Sequence, residues 1–478
     1  MSENLTHHGA DGLISAAQAA APATPIDLVR ETELEAVLQA GGEALKALAG
    51  VHEFNAREGQ VLMIADAEGK LARVLFGLGK GVPLRPMLLR ALPGKLPPGD
   101  YRIGAAPDGG EPGLFALAWA LGRYVFDRYR GEARRSDRPR LVVEEGAALE
   151  VVRRTAHACA LARDMINTPA NDLGPLQIET IVREVAQAHG ATVASVEGDA
   201  LLEAGYPAVH AVGRAAVPHR GPRMIELSWS GGGAAAPQLV LIGKGVVFDT
   251  GGLDIKPSSG MRLMKKDMGG AAHALALARM VMGAGLPVRL TLLLPVVENA
   301  ISGDAMRPGD VIASRKGLSI EVGNTDAEGR LILADALARA GELGPDLTID
   351  LATLTGAARV AVGPDLPAYF TDDDALAAGL EQAARSESDP VWRLPLWAAY
   401  GEALSSEVAD LANDPAAWAQ AGAVTAALFL QRFAPESGAW LHLDLFGWNG
   451  RGRPGWPVGG EAQAVRALFR LLEERYPA

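Results

Sequence analysis

Four carboxylates and two lysines stand at the ends of apolar runs within one stretch of this chain, between residues 244 and 330. The segment Leu239-Val-Leu-Ile-Gly-Lys-Gly-Val-Val-Phe-Asp-Thr-Gly-Gly-Leu-Asp-Ile-Lys-Pro257 places Lys244, Asp249 and Lys256 among apolar residues and glycines. Charges in such surroundings are costly unless they are paired or hold a metal. In Met264-Lys-Lys-Asp-Met-Gly-Gly270, Asp267 directly precedes a helix-like run. In Asn324-Thr-Asp-Ala-Glu-Gly-Arg-Leu331, an extended backbone would point Asp326 and Glu328 to the same side, and Arg330 would open a helix. Asp249, Asp267, Asp326 and Glu328 carry four negative charges, which two divalent cations would balance. Oxygen-rich ligation suits Mg or Mn, and Zn also accepts carboxylates.

Taken singly, each group has a plainer reading. Asp267 alone reads as a helix cap, Lys244 as a solvated or phosphate-facing lysine, and Asp326 with Glu328 as a capping pair. Only the three segments together point to a metal centre. Other chemistries fail on the residues. Gly243-Lys244-Gly245 lacks both the upstream glycine and the following Ser or Thr of a phosphate loop. Asp249-Thr-Gly has no second copy to share a proton, as an aspartic protease needs. No Gly-x-Ser-x-Gly elbow and no His-Glu-x-x-His occurs, and the nine histidines form no ligand pair at helical metal spacing. His273, in an Ala-rich helix, reads as structural or surface, and Cys159 as buried packing.

The elements that must position these groups alternate. Apolar runs at 141–143, 192–196, 224–227, 239–242, 288–297 and 347–351 read as strands, and 147–166, 269–282 and 331–340 as helices. The unbroken run at 239–242 suits a strand buried on both faces. This alternation predicts an α/β domain with a central mixed sheet flanked by helices, whose ligands sit at the carboxyl ends of strands. Ahead of it, runs at 61–65 and 71–76 around Asp-Ala-Glu-Gly-Lys predict a hairpin, and 116–129 a helix, in a smaller α/β domain. The charged stretch 130–140 reads as a linker. The resulting organisation is a mobile arm over 1–25, an N-terminal α/β domain over 26–145 and a catalytic domain over 146–478.

Composition sets the limits. The 478 residues suffice for two or three domains, and 49% hydrophobic content supports a buried core. A net charge of −12 argues against broad binding to nucleic acid or anionic membrane. One cysteine allows no intrachain disulfide, which suits a reducing cytosol. The first 25 residues lack the features of a secretory signal, and no run is long enough to span a membrane as a helix.

The three chemical segments resemble the leucyl aminopeptidase (cytosol aminopeptidase) family, whose signature octapeptide is Asn324-Thr-Asp-Ala-Glu-Gly-Arg-Leu331. The resemblance runs from about residue 141 onward. It includes Asn167-Thr-Pro-Ala-Asn171, Asp350-Leu-Ala-Thr-Leu-Thr-Gly-Ala357, Pro390-Val-Trp-Arg-Leu-Pro395, Ala409-Asp-Leu-Ala-Asn413 and Trp440-Leu-His-Leu-Asp444. The first domain matches weakly, mainly at Leu121-Gly-Arg-Tyr-Val-Phe-Asp-Arg-Tyr129.

The resemblance implies a two-domain subunit in a cytoplasmic homohexamer, with two divalent ions, Mn²⁺ or Zn²⁺, per subunit. Lys244, Asp249, Asp267 and Glu328 match the ligands of one metal. Asp249, Asp326 and Glu328, with the Asp326 carbonyl, match those of the other. Lys256 matches the lysine that polarises the substrate carbonyl, and Arg330 the arginine that holds a bicarbonate. Met264, Thr353, Leu354 and Gly356 match substrate and specificity contacts. The implied reaction is release of N-terminal residues, apolar ones first, through a metal-bridged water. Lys244 must then be a neutral amine, which burial and an adjacent dication favour. Two rivals stand beside this reading. One is a dinuclear amidase for a special dipeptide or conjugate. The other is a DNA-binding or scaffold role on the same fold, for which Arg134, Arg135, Arg138 and Arg140 are the candidate basic residues.

Overall fold

The computed structural model describes residues 12–19, 22–81, 84–130, 138–415 and 420–477. Contacts divide the chain into two compact units. Among the described residues, one comprises those within 12–160 with 451–458, and the other those within 161–450 and 459–477. The division, between 160 and 161, falls within the helix Ala147–Asn167.

The smaller unit is built on six strands: β1 (Leu13–Ile14), β2 (Thr24–Arg30), β3 (Val61–Ala65), β4 (Leu71–Gly79), β5 (Asp100–Ile103) and β6 (Arg140–Val142). They run in the order β1-β6-β5-β2-β4-β3, parallel except for the expected β3–β4 hairpin. The helix Pro112–Arg123 buries Phe115 through Leu121, with Trp119 fully enclosed. It stops at Arg123, six residues short of the expected 129, as Tyr124 turns away from helical backbone.

Two expectations for this region change. Residues 12–25 are not simply an arm, because Leu13 and Ile14 pair with Leu141 and Val142, and β2 already begins at Thr24. Residues 1–11 and 20–21 lie outside the described residues. The charged stretch does not separate the domains either, because β6, which follows it, pairs with β1 and β5 of the same sheet. Of the candidate basic residues, Arg140 forms a two-pronged pair with Asp100 and Arg138 faces Asp127. Arg134 and Arg135 lie outside the described residues. The basic groups that can be placed are thus matched by carboxylates.

The larger unit holds a nine-stranded mixed sheet. Its strands are β7 (Thr192–Glu197), β8 (Arg223–Ser230), β9 (Gln238–Gly243), β10 (Gly245–Asp249) and β11 (Arg289–Asn299). After a small ribbon, β12 (Val311–Ala313) with β13 (Ser319–Glu321), come β14 (Leu347–Ala352), β15 (Ala368–Phe370) and β16 (Trp392–Arg393). β17 (Leu411–Ala412) joins the ribbon, and β18 (Ala439–Asp444) returns to the main sheet. The order is β16-β15-β18-β14-β9-β11-β8-β7, with β10 also on β11. The central strands β18, β14, β9, β11 and β10 are mutually parallel, so their carboxyl ends share one edge. Every residue of β9 and β14 is buried, which requires layers on both faces. Helices Gly269–Ala284 and Glu328–Gly341 supply them, and both are buried round most of their circumference. Among the described residues no helix is long and apolar enough to cross a membrane.

One ionic pair lies deep in this sheet. His442 Nδ1 is 2.5 Å from Asp350 Oδ1, and Trp440 Nε1 donates to the other oxygen at 2.7 Å. Burial disfavours a charged ring, yet Asp350 and then Asp444 outweigh it and raise the His442 pKa above its usual value. A raised histidine contributes stability that is complete below the unfolded value, about 6.5, and is lost as pH rises through the folded value. The thermal deficit of His442→Gln should therefore be largest near pH 6 and shrink towards pH 9. A deficit that does not vary with pH would contradict the pair's charge.

Candidate active site

The parallel edge gathers the charged segments. Lys244 follows β9, Asp249 ends β10 and Thr353 follows β14, all buried, so their side chains meet at one place. A sharp turn follows Asp249. Gly251 and Gly252 both have positive φ, and a Cβ at 251 would fall 2.4 Å from the Asp254 carbonyl oxygen. Asp267 lies on the 3-10 turn Met264–Met268 ahead of the helix Gly269–Ala284, as its position predicts. Residues 322–327 are not extended. Asp326 sits in a turn, and Glu328, not Arg330, opens the helix Glu328–Gly341. The two carboxylates converge nonetheless, because one ligand oxygen each from Asp249, Asp326 and Glu328 lies within 4.8 Å of the others.

Each lysine spans two carboxylates. Lys244 Nζ lies 2.7 Å from Asp267 Oδ2 and 2.8 Å from Glu328 Oε1. Lys256 Nζ lies 2.8 Å from Asp249 Oδ2 and 2.5 Å from Asp326 Oδ1. Gly329 makes room for the first pair, since a Cβ there would sit 2.6 Å from Lys244 Nζ. Glu328 is 1% exposed, and its Oε2 is buried with no hydrogen-bond partner. Burial first, then the Asp249 charge, push the Glu328 carboxyl up to about 8 and Asp326 up to about 6. For Lys244 burial acts downward, but Asp267, Glu328 and Asp249 prevail and hold it as an ammonium. The carboxylates alone therefore favour the charged amine, and only a cation in their midst would favour the neutral one. A buried set of carboxylate oxygens, one orphaned and two of the groups resisting ionisation, is what a binding site for hard divalent cations presents.

Comparison with family models shows which family the chain belongs to. The catalytic-domain model of the cytosol aminopeptidase family matches residues 160–469, and the M17 aminopeptidase N-terminal domain model matches 24–143. The chain belongs to the cytosol aminopeptidase family. It is thereby a two-domain α/β hydrolase of the metal-dependent aminopeptidase type. The sequence is 42% identical over 368 residues to a probable cytosol aminopeptidase of Syntrophotalea carbinolica, covering 74% of this chain and 73% of that one. A crystal structure of cytosol aminopeptidase from Coxiella burnetii superposes with TM-score 0.92 at 44% identity, covering 98% of this chain and all of the other. The bottromycin maturation enzyme BotP in complex with Mn follows at TM-score 0.84 and 34% identity, over 95% of this chain and all of the other.

Among the remaining residues named by the resemblance, Arg330 and Thr353 are buried. Arg330 Nη1 donates to the Asn413 carbonyl at 2.6 Å, and its Nε has no partner. Thr353 Oγ1 donates to Asp267 Oδ1 at 2.9 Å. Leu354 follows it, and Gly356 opens the helix Gly356–Val362. Met264 begins the turn that carries Asp267.

Several supporting residues were not singled out from the sequence. Asn299 Nδ2 donates to Asp249 Oδ1 at 2.8 Å and to the Thr325 carbonyl at 3.2 Å, tying two ligand segments together. Asn413, brought in by the β17–β13 pairing, accepts from Gly323 and Asn324 and donates to the Asn324 carbonyl. Asp444 at the end of β18 accepts from the backbone of Leu354 and Thr355 and from the Thr355 hydroxyl. Asn413 and Asp444 lie within family-like segments, but their roles depend on strand pairing over about 90 residues.

Proposed function

We propose that this chain is a dinuclear metalloaminopeptidase that releases N-terminal residues from peptides, apolar ones among them. The observation that carries the reading is the convergence of buried Asp249 and Glu328 with half-buried Asp326, Glu328 Oε2 being unpartnered. Lys244, Asp249, Asp267 and Glu328 would hold one ion, and Asp249, Asp326 and Glu328 the other, Asp249 and Glu328 serving both. Carboxylates and an amine accept either Mn²⁺ or Zn²⁺. The manganese complex of BotP supports the former. When bound, such a pair supplies Lewis acidity and activates a water near neutral pH.

The chain's own residues do the rest. Lys256, freed from Asp249 and Asp326 once other cations neutralise them, would donate to the substrate oxygen that gains charge as the peptide bond is attacked. No side chain in the motifs is an obvious general base. A bicarbonate held at the unpartnered Arg330 Nε would supply one. Met264, Thr353, Leu354 and Gly356 would receive the first residue. On the family resemblance we also propose assembly as a homohexamer in the cytoplasm. The test is leucine release from leucyl-p-nitroanilide by metal-stripped protein with Mn²⁺ or Zn²⁺ restored. Release that returns with the metal is expected. Fully metal-loaded protein that releases nothing from leucyl, alanyl or methionyl substrates would contradict the reading.

A further inference from the structure

One lysine in the site has no part in that scheme. Lys266 is 6% exposed, and its nearest carboxylate oxygen is Asp267 Oδ1, at 3.5 Å. That carboxylate is already engaged, by Lys244 at 2.7 Å and by the Thr353 hydroxyl at 2.9 Å. Asp444, the other acid that acts on Lys266, is taken up by Leu354 and Thr355. A buried ammonium is costly unless it is closely paired, so this one is under-compensated.

Lys266 is not alone. Its Nζ lies 5.2 Å from the centroid of the Phe446 ring, and Arg359 Cζ lies 4.8 Å from the same centroid. Arg359 is exposed and has no carboxylate partner among the described residues. It stands three residues after Gly356 on the same short helix. Next to Phe446, a Cβ at Gly447 would lie 3.6 Å from Thr353 Cγ2. The aromatic ring therefore lies beside two cations, and the residue after it approaches Thr353, one of the residues assigned above to the first residue of the substrate.

We propose that Lys266 and Arg359 determine specificity, extending the first-residue pocket to acidic side chains, with aspartyl and glutamyl peptides as substrates beside apolar ones. Met264 and Leu354 line the stem of the first side chain, and the two cations meet its carboxylate. A carboxylate completes the pairing that Lys266 lacks, and Arg359 binds it with a planar fork. The inference rests on the aminopeptidase reading and adds to it the class of substrate.

The test compares α-glutamyl-, α-aspartyl-, leucyl- and lysyl-p-nitroanilide with the metal-loaded full chain. None of these has a free C-terminal carboxylate, so an acidic effect can come only from the first side chain. Glutamyl release is expected within about tenfold of leucyl, and far above lysyl. Arg359→Met, at an exposed site where folding is not at risk, should lower the glutamyl-to-leucyl ratio of kcat/KM about tenfold, the size of one lost charged contact. Lys266→Met should do the same, and Arg359→Glu should move the preference towards lysyl. Parent protein that cleaves leucyl but not glutamyl or aspartyl would overturn the inference and leave the aminopeptidase intact. Variants that slow all four equally would also overturn it. Release from none of the four would sink both readings.

Discussion

Replacing Glu328 by Gln should abolish peptide hydrolysis while leaving the fold intact. Glu328 is proposed to serve both metal positions, it opens its helix, and it is almost fully enclosed. Glutamine has nearly the same volume but offers no charge. The expected loss in kcat/KM is about 10³-fold or more, or about 4 kcal/mol of transition-state stabilisation. Metal-free stability should not fall with it, because burial and the Asp249 charge push the Glu328 carboxyl up to about 8, so near pH 7 the metal-free parent already holds this side chain mostly neutral, as glutamine is. What should vanish is the metal-dependent rise in melting temperature. At a metal concentration 100 times the dissociation constant, that rise corresponds to about 2.7 kcal/mol in the parent. A variant that keeps both the activity and the metal-dependent stabilisation would remove Glu328 from the ligand set.

Lys256→Met should show the opposite division. Metal binding persists and turnover collapses, with kcat lower by about 10² to 10³, the size measured for losing one preorganised donor to a developing oxyanion. KM should change much less, since the contact is made in the transition state and not in the ground state. In the metal-free protein Lys256 is also the counter-ion of Asp249 and Asp326, so the variant should melt lower when stripped and recover when loaded. An unchanged kcat with a raised KM would reassign Lys256 to substrate binding.

These expectations depend on residues that were mostly legible in the chain, for a physical reason. The strands at 239–243 and 347–352 are buried on both faces, so they read as unbroken apolar runs, and charged residues at their ends stand out. The signature octapeptide is a local string, and all its acids reach one place. Its alternation of side chains suggests an extended segment. The chain instead turns at Asp326 and starts a helix at Glu328, which converges the same two groups by another route. Asn299, Asn413 and Asp444 were harder to see. Each acts through partners 26 to 90 residues away, fixed by strand pairing, and no local spacing records that. The course of the charged stretch at 130–140 is hidden for a similar reason. The charged stretch before β6 has the composition of a linker, yet β6 returns to the same sheet. The pairing of Leu13 and Ile14 with that strand is a two-residue contact too short to leave a pattern.

The central claim is that two divalent ions sit among Lys244, Asp249, Asp267, Asp326 and Glu328 and that hydrolysis depends on them. The most direct measurement counts manganese bound per chain during a titration of stripped protein, while leucine release is followed in the same samples. The account expects binding to level off at about two ions per chain, with activity absent in the stripped protein and complete at that plateau. Activity in protein that holds no metal, or a plateau below one ion per chain, would contradict it.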